Sequence, residues 1–148
     1  MIVSFKSVDW AERPTLVLKN LDGTFIQPLM NAFNIEAKLN YNETSELSFD
    51  LPAFANGLET PHYEDVVGMR LVDWIGVGQF ILVNPSVENN GHSEIKSCKA
   101  YSLEYELTYK STYIKEGTYE FWDPVAPGGT VLGMILSDYP SWRAGTID

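Results

Sequence analysis

Residues 33–51, FNIEAKLNYNETSELSFDL, carry the clearest structural signal of the chain. Every odd position from Phe33 to Tyr41 is apolar, the residues between them are polar, and the alternation returns at residues 47–51. A repeat of two places alternate side chains on the same face of a β-strand. Because the polar residues 42–45 separate the two runs, the stretch predicts an antiparallel hairpin with Tyr41 on its half-buried face.

Short strands joined by turns are predicted on both sides of this hairpin. Asp22-Gly23 and Asn90-Gly91 indicate tight turns, since these residue types tolerate positive φ. The continuous apolar run at 79–83 predicts a central strand, whereas the proline-rich residues 53–61 predict a crossing loop. A single helical turn ended by Gly68 is expected just after that loop. Strands are predicted at 1–5, twice within 15–27, and at 69–74, 79–83 and 93–100.

The sequence changes character after about Ala100. Residues 101–109 fit the spacing of a strand and of a helix equally well, and residues 113–122 look β-like. Thr130 is placed to cap a helix. The apolar face of that helix is expected to comprise Val131, Ile135, Leu136 and Tyr139. We therefore predict a β-rich domain at 1–100 and the start of a second α+β domain at 101–148.

Composition limits the function classes. The 148 residues suit one domain, or one domain and part of a second, and folding at this size buries about 70% of the chain surface. The net charge of -10 opposes nucleic-acid backbones and anionic lipid. No apolar run reaches the ~18 residues of a membrane span, and the start lacks a secretory signal. We expect no membrane insertion, synthesis into the cytoplasm, and an α+β, mainly β fold of antiparallel strands in a small barrel or sandwich.

The two histidines are the first candidates for chemistry. His62 lies near Glu64 and Asp65, and His92 lies near Glu94, so either could anchor a metal or act as a general base. Both fall in or beside predicted turns of an acidic chain, without HExxH spacing. A serine nucleophile of the GxSxG type is also missing from the sequence. We expect both histidines to be solvated surface residues.

Three further features resemble functional motifs but have simpler interpretations. Cys98 lies near Lys96 and Lys99, which would lower a thiol pKa if exposed, yet a lone cysteine is more often a small core residue. Gly76-Val77-Gly78 begins like a dinucleotide loop, but a strand follows it, so we expect a hairpin turn. Gly128-Gly129-Thr130 could present amides to an anion, but it lacks a P-loop lysine and fits a turn with an N-cap.

The aromatic side chains suggest contact surfaces. The four tryptophans and eight tyrosines could build a sugar-binding platform, a protein interface or a core. Trp142 is expected to pack against the helix before it. Of the remaining tryptophans, which include Trp74, the best interface candidates are Trp10 and Trp122.

The order of elements resembles a known family. Residues 39–52 (LNYNETSELSFDLP), 63–74 (YEDVVGMRLVDW) and 78–110 (GQFILVNPSVENNGHSEIKSCKAYSLEYELTYK), followed by a Gly/Thr helix closing on 137–148 (SDYPSWRAGTID), are similar in order and character to the N-terminal hub region of siphophage and prophage tail-associated proteins. This group includes minor structural and endopeptidase-tail proteins.

The resemblance implies a baseplate-hub fold of small β-rich domains that assembles as a homotrimer. It implies contacts with the distal tail ring protein and the tape-measure protein, and peptidase or glycan-binding domains further along the polypeptide. It also favours a short helix at 102–107. It transfers no catalytic, cofactor-binding or metal-binding residue to this chain, and it implies that the chain is the N-terminal fragment of a longer protein.

The sequence therefore predicts a non-enzymatic structural component of a phage tail tip, located in the virion and in the host cytoplasm during assembly. Carboxylates such as Glu43, Glu46 and Asp50 are expected to line a channel and to discourage passing DNA from binding. The alternatives are a tail-associated peptidase or cell-wall hydrolase, and a carbohydrate-binding module.

Overall fold

The structure is a computed structural model of the whole chain. It describes residues 1–5, 14–41, 43–89, 91, 93–108, 117–121, 123, 125–139 and 142–143. The chain divides into two compact units, Met1–Tyr105 and Glu106–Asp148, which are described separately. The domain boundary predicted near residue 100 stays a prediction.

The first unit is built from antiparallel strands, as the sequence predicts. Among the described residues nine strands form one sheet along the path β1-β4-β5-β11-β9-β8-β2-β3, with β10 also paired to β11, and a small separate hairpin joins β6 to β7. The sheet is open and does not close into a barrel. The strands are β1 (Ile2–Phe5), β2 (Leu16–Lys19), β3 (Phe25–Pro28), β4 (Phe33–Lys38), β5 (Glu46–Pro52), β6 (Phe54–Ala55), β7 (Leu58–Glu59), β8 (Leu71–Trp74), β9 (Gly78–Leu82), β10 (Ser86–Asn89) and β11 (Glu94–Ser102).

The predicted hairpin at 33–51 is confirmed. β4 and β5 pair antiparallel, and their apolar positions Ile35, Ala37, Leu47, Phe49 and Leu51 are all buried. The period of two therefore identifies the core face of both strands correctly.

The position predicted for Tyr41 is wrong, because its side chain is 99% exposed. β4 ends at Lys38, and the backbone amide of Leu39 donates to the carbonyl of Met1. Asn40 then turns the chain away from the sheet by donating its amide to Ser45 Oγ. The alternation continues in sequence past the point where strand pairing stops.

β11 is the long strand around which the sheet is organised. Along one edge it pairs with β5, where Cys98 faces Phe49 and Ala100 faces Leu47. Its other edge pairs first with β10 and then with β9. The strand predicted at 79–83 is confirmed as an interior strand, because β9 lies between β11 and β8. Its three apolar residues Phe80, Ile81 and Leu82 are buried.

Most predicted turns are present. Gly23 and Gly76 adopt positive φ in the connections β2–β3 and β8–β9, where a residue with a Cβ would be strained. The β10–β11 hairpin is also formed, although Asn90 and His92 at its tip lie outside the described residues. Residues 53–61 were expected to be a loop, but they carry the β6–β7 hairpin. Asn56-Gly57 supplies the two positive-φ positions of that tight turn.

The short helices agree with the predictions. A 3-10 helix at Tyr63–Asp65 forms the expected turn, and a second one at Leu103–Thr108 resolves the ambiguous segment in favour of a helix. None of the helices in the described ranges is both long enough and apolar enough to cross a membrane.

In the second unit, the α-helix α1 (Val131–Ser137) begins at the predicted cap Thr130. Thr130 Oγ1 accepts a hydrogen bond from the amide of Gly133 at 3.1 Å. The side chain of Tyr139 is buried, and its hydroxyl donates to the carbonyl of Leu107 at 3.0 Å. The β-like segment predicted at 113–122 falls mainly outside the described residues, and its described part, 117–121, forms no strand.

Candidate functional site

The largest concavity described in the first unit lies beside the 3-10 helix at Tyr63–Asp65. It has a volume of about 670 Å³ and is bordered by the β6–β7 hairpin and by the beginning of β11. We call it the Tyr63 groove. The side chains that define its character are Phe54, Glu59, His62, Tyr63, Glu64 and Glu94.

The floor of the Tyr63 groove is fixed by a buried lysine. Lys96 is only 7% exposed, and its Nζ donates to the backbone carbonyl of Tyr63 at 2.7 Å and to that of Val66 at 3.4 Å. The same Nζ lies 4.1 Å from the centroid of the Tyr63 ring, which is the geometry of a cation–π contact. Because a buried ammonium is costly without partners, these contacts make its burial possible and hold the short helix against β11.

The hydroxyl of Tyr63 is buried beneath the same surface. Tyr63 is 7% exposed, and no described group meets the geometry of a direct hydrogen bond to its hydroxyl. Burial raises the pKa of Tyr63 above its ordinary value, and the carboxylate of Glu94 raises it further. The phenol therefore stays protonated at any physiological pH and keeps a proton that it could donate.

His62 begins the 3-10 helix in the left-handed region, with φ of 54°. Its Nδ1 lies 2.5 Å from Asp65 Oδ2, and both side chains are about half exposed, so the predicted surface position of His62 is confirmed. Glu64 points elsewhere, with its Oε2 4.0 Å from Lys96 Nζ and its side chain 92% exposed. His92 lies outside the described residues.

The thiol of Cys98 is part of the core, as expected. Its side chain is buried, and its Sγ lies 3.8 Å from the carbonyl of Lys96. Burial raises the pKa of Cys98 to about 12, against a smaller lowering by the charge of Lys96 and a raising by Asp50. Lys99, by contrast, is exposed on the opposite face of β11. The thiol is therefore protected from ionisation and is not placed as a nucleophile.

The two glycine-containing motifs have the simple structures expected of them. Residues 75–77 form the turn between β8 and β9. Pro127–Gly129 forms a 3-10 helix that leads into the cap at Thr130.

The tryptophans do not share one surface. Trp74 is buried in the sheet core, which removes it from any surface platform. Trp142 donates its indole Nε1–H to Glu106 Oε2 at 3.0 Å and its backbone amide to the carbonyl of Tyr139 at 2.8 Å. The predicted interface residues Trp10 and Trp122 lie outside the described residues.

The three carboxylates expected in a channel occupy two places. Glu43 is exposed in the loop before β5, whereas Glu46 and Asp50 lie on the polar face of β5. Glu46 pairs in register with Lys38. Asp50 accepts hydrogen bonds from Asn34 Nδ2 at 2.8 Å and from Ser97 Oγ at 2.9 Å. This face is therefore of mixed charge rather than uniformly acidic.

Sequence reasoning missed the pairing of Lys96 with Tyr63. A usable signal was present, because Lys96, Cys98 and Ala100 stand two apart along one strand and therefore share the buried face. The position of Tyr63 beneath Lys96 depends on packing between residues 33 positions apart, which no local pattern reveals.

In the part of the chain that the structure describes, histidine, cysteine, aspartate and glutamate side chains form no group of three or more that could hold a metal ion. A scan against protein-family models found no match, and searches of curated proteins and of solved structures found no significant match either.

Proposed function

We propose that the chain is a structural, non-enzymatic component of a phage or prophage tail tip, acting through protein–protein assembly in the hub. The proposal starts from the order of sequence elements that resembles tail-associated proteins. In the proposed assembly the chain forms a homotrimer that contacts the distal tail ring protein and the tape-measure protein. It resides in the virion tail tip, and in the host cytoplasm while the tail is being built.

The observation that carries the proposal is the open edge of the sheet. Within the described ranges β1 and β3 stand at the two ends of the strand order, each paired on one side only. An unpaired edge presents backbone N–H and C=O groups that can pair with another chain. On β3, Phe25 is 64% exposed and adds apolar area to this edge. A sheet with two such ends is suited to continuation across subunits of a ring.

The polar faces of β5 and its neighbours suit the second part of the proposal, a channel wall that does not retain DNA. Carboxylates at Glu43 and Glu46 repel phosphate, while Lys38 and Lys99 reduce the net field on the same side of the sheet. A wall of this kind opposes adhesion without a strong potential of either sign.

The test is an assembly experiment with a matched pair of variants. Size-exclusion chromatography with light scattering gives the mass of the chain alone and mixed with the distal tail ring protein encoded beside it. Phe25→Lys places a charge on the edge strand and should reduce the trimer to monomers. Ile75→Lys is the control, because Ile75 is equally exposed at 64% but lies in the β8–β9 turn.

A wild-type chain that neither trimerises nor binds the ring protein contradicts the proposal. Release of soluble fragments from peptidoglycan would instead favour the hydrolase, and quenching of tryptophan fluorescence by a glycan would favour the carbohydrate-binding module. A trimer unaffected by Phe25→Lys would retain the assembly function and remove β3 from its interface.

A further inference from the structure

We infer that the Tyr63 groove is a docking site for an arginine-bearing segment of a partner protein. The inference deepens the proposed assembly function and rests on it in assigning the groove to a protein partner. It is carried by three independent features of the groove: its charge, its exposed aromatic ring, and its rigid floor with an unpartnered phenol.

The charge of the groove calls for a cation. Glu59, Glu64 and Glu94 all border it, while the two nearby basic groups already have contacts. His62 is engaged by Asp65, and Lys96 is buried below the floor with its Nζ on backbone carbonyls. Three carboxylates around one concavity therefore face solvent without an exposed cation among the described lining residues. A guanidinium group suits this arrangement, because it binds carboxylates in a bidentate way.

The exposed ring at the mouth of the groove distinguishes arginine from lysine. Phe54 is 60% exposed on the short strand β6, beside Glu59 of the paired strand β7. A planar guanidinium stacks on an aromatic face while it bonds to a neighbouring carboxylate, whereas a compact ammonium satisfies only one of these contacts well. The juxtaposition of Phe54 and Glu59 therefore selects for arginine.

The floor adds a directional polar group. The Tyr63 hydroxyl belongs to a side chain that is more than nine-tenths buried, and no described group accepts its proton in hydrogen-bond geometry. A backbone carbonyl of a docked segment would supply the missing acceptor. Because Lys96 holds the Tyr63 backbone in place, little ordering is required when a segment binds, and a preformed site loses less affinity to that cost.

The experiment measures binding of defined peptides to the full chain by calorimetry at low ionic strength. The probe is an acetylated and amidated pentapeptide, glycine-arginine-phenylalanine-arginine-glycine. Two analogues replace both arginines, one with lysine and one with neutral citrulline. We expect the arginine peptide to bind more tightly than the lysine peptide, and the citrulline peptide to show no measurable binding.

The variants separate the groove from the general acidity of the chain. The double variant Glu59→Gln/Glu64→Gln should weaken binding of the arginine peptide about fivefold or more, since two solvent-exposed ion pairs are removed. The control is Glu36→Gln/Glu46→Gln, which changes the net charge equally but lies on β4 and β5 outside the groove. It should change the affinity less than about twofold.

Equal losses in the two double variants would overturn the inference, because binding would then be a diffuse charge effect. Equal binding of the citrulline peptide would overturn it as well, and so would dissociation of the protein's own trimer by the groove variants, since a second copy would then occupy the groove. Failure of peptide binding in a chain that still trimerises and binds the ring protein removes this inference alone. Peptide binding by a chain that does neither removes the proposed function alone.

Discussion

Replacing Lys96 tests whether a buried cation holds the Tyr63 groove in shape. Lys96→Met removes the ammonium and keeps a flexible side chain of similar length that can fill the space. The carbonyls of Tyr63 and Val66 then lose their donor within the protein interior. The expected result is a marginal groove floor on a sheet that remains folded.

The magnitude follows from the contacts. Each buried carbonyl left without a donor costs about 1–3 kcal/mol, and the longer bond to Val66, at 3.4 Å, is the weaker of the two. Loss of the cation–π contact adds about 1 kcal/mol, and relief of the ammonium's desolvation offsets part of this cost. We expect the free energy of unfolding to fall by about 2–4 kcal/mol.

The assay is urea unfolding followed by circular dichroism, together with amide hydrogen exchange. Lys99→Met is the matched control, because Lys99 lies on the exposed face of the same strand, and its loss should change stability by less than about 0.5 kcal/mol. In Lys96→Met the amide of Val66, which donates to the carbonyl of Tyr63, should exchange faster. A Lys96→Met protein as stable as the control, with unchanged exchange at Val66, would refute the clamp.

Three further predictions concern other buried groups. Tyr63→Phe keeps the ring over Lys96 and removes a hydroxyl without a direct partner, so the free energy of unfolding should change by less than about 0.5 kcal/mol; a loss above about 1.5 kcal/mol would show that the hydroxyl is bonded in solution. Because burial raises the pKa of Cys98 to about 12, alkylation at pH 9 should be at least about 100-fold slower in the folded than in the unfolded chain. The same shift means that Cys98 supports stability below the unfolded thiol pKa and that this support is lost as the pH rises from about 9 towards 12. Thr130→Ala should destabilise α1 by about 1 kcal/mol while Thr130→Ser retains the cap, as read from hydrogen exchange within the helix.

The controls for these predictions are simple. Denaturant should abolish the protection of Cys98, and rapid alkylation of the native chain would show that the thiol is accessible. Equal helix protection in Thr130→Ala and Thr130→Ser would mean that the hydroxyl contributes nothing as a cap.

Local patterns predicted the fold well where a strand has one buried face. The alternation in β4 and β5 identified their core residues, and the glycine turns placed several of the connections. The same reasoning failed at Tyr41, because alternation does not indicate where pairing ends. It also missed the β6–β7 hairpin, whose strands of two residues are too short to show a period.

The Tyr63 groove was less predictable than the fold. Its parts come from three separate segments of the chain, the β6–β7 hairpin, the 3-10 helix and the start of β11. The sequence showed the acidic neighbours of His62 but not that Glu59 and Glu94 would join them. Such a site is set by strand register and tertiary packing rather than by any motif spacing.

The position of β11 in the sheet has a consequence for how the chain is made. β5 is synthesised more than 40 residues before its long partner, and Phe49 meets Cys98 only after the intervening strands have emerged. Until then the β4–β5 hairpin presents an apolar face and a free backbone edge, the features that make nascent chains sticky. Such distant pairing also slows folding, since a long loop must close before the contact forms. The strand that completes the sheet is therefore also the step at which a newly made chain is most exposed to chaperones and to association with its neighbours.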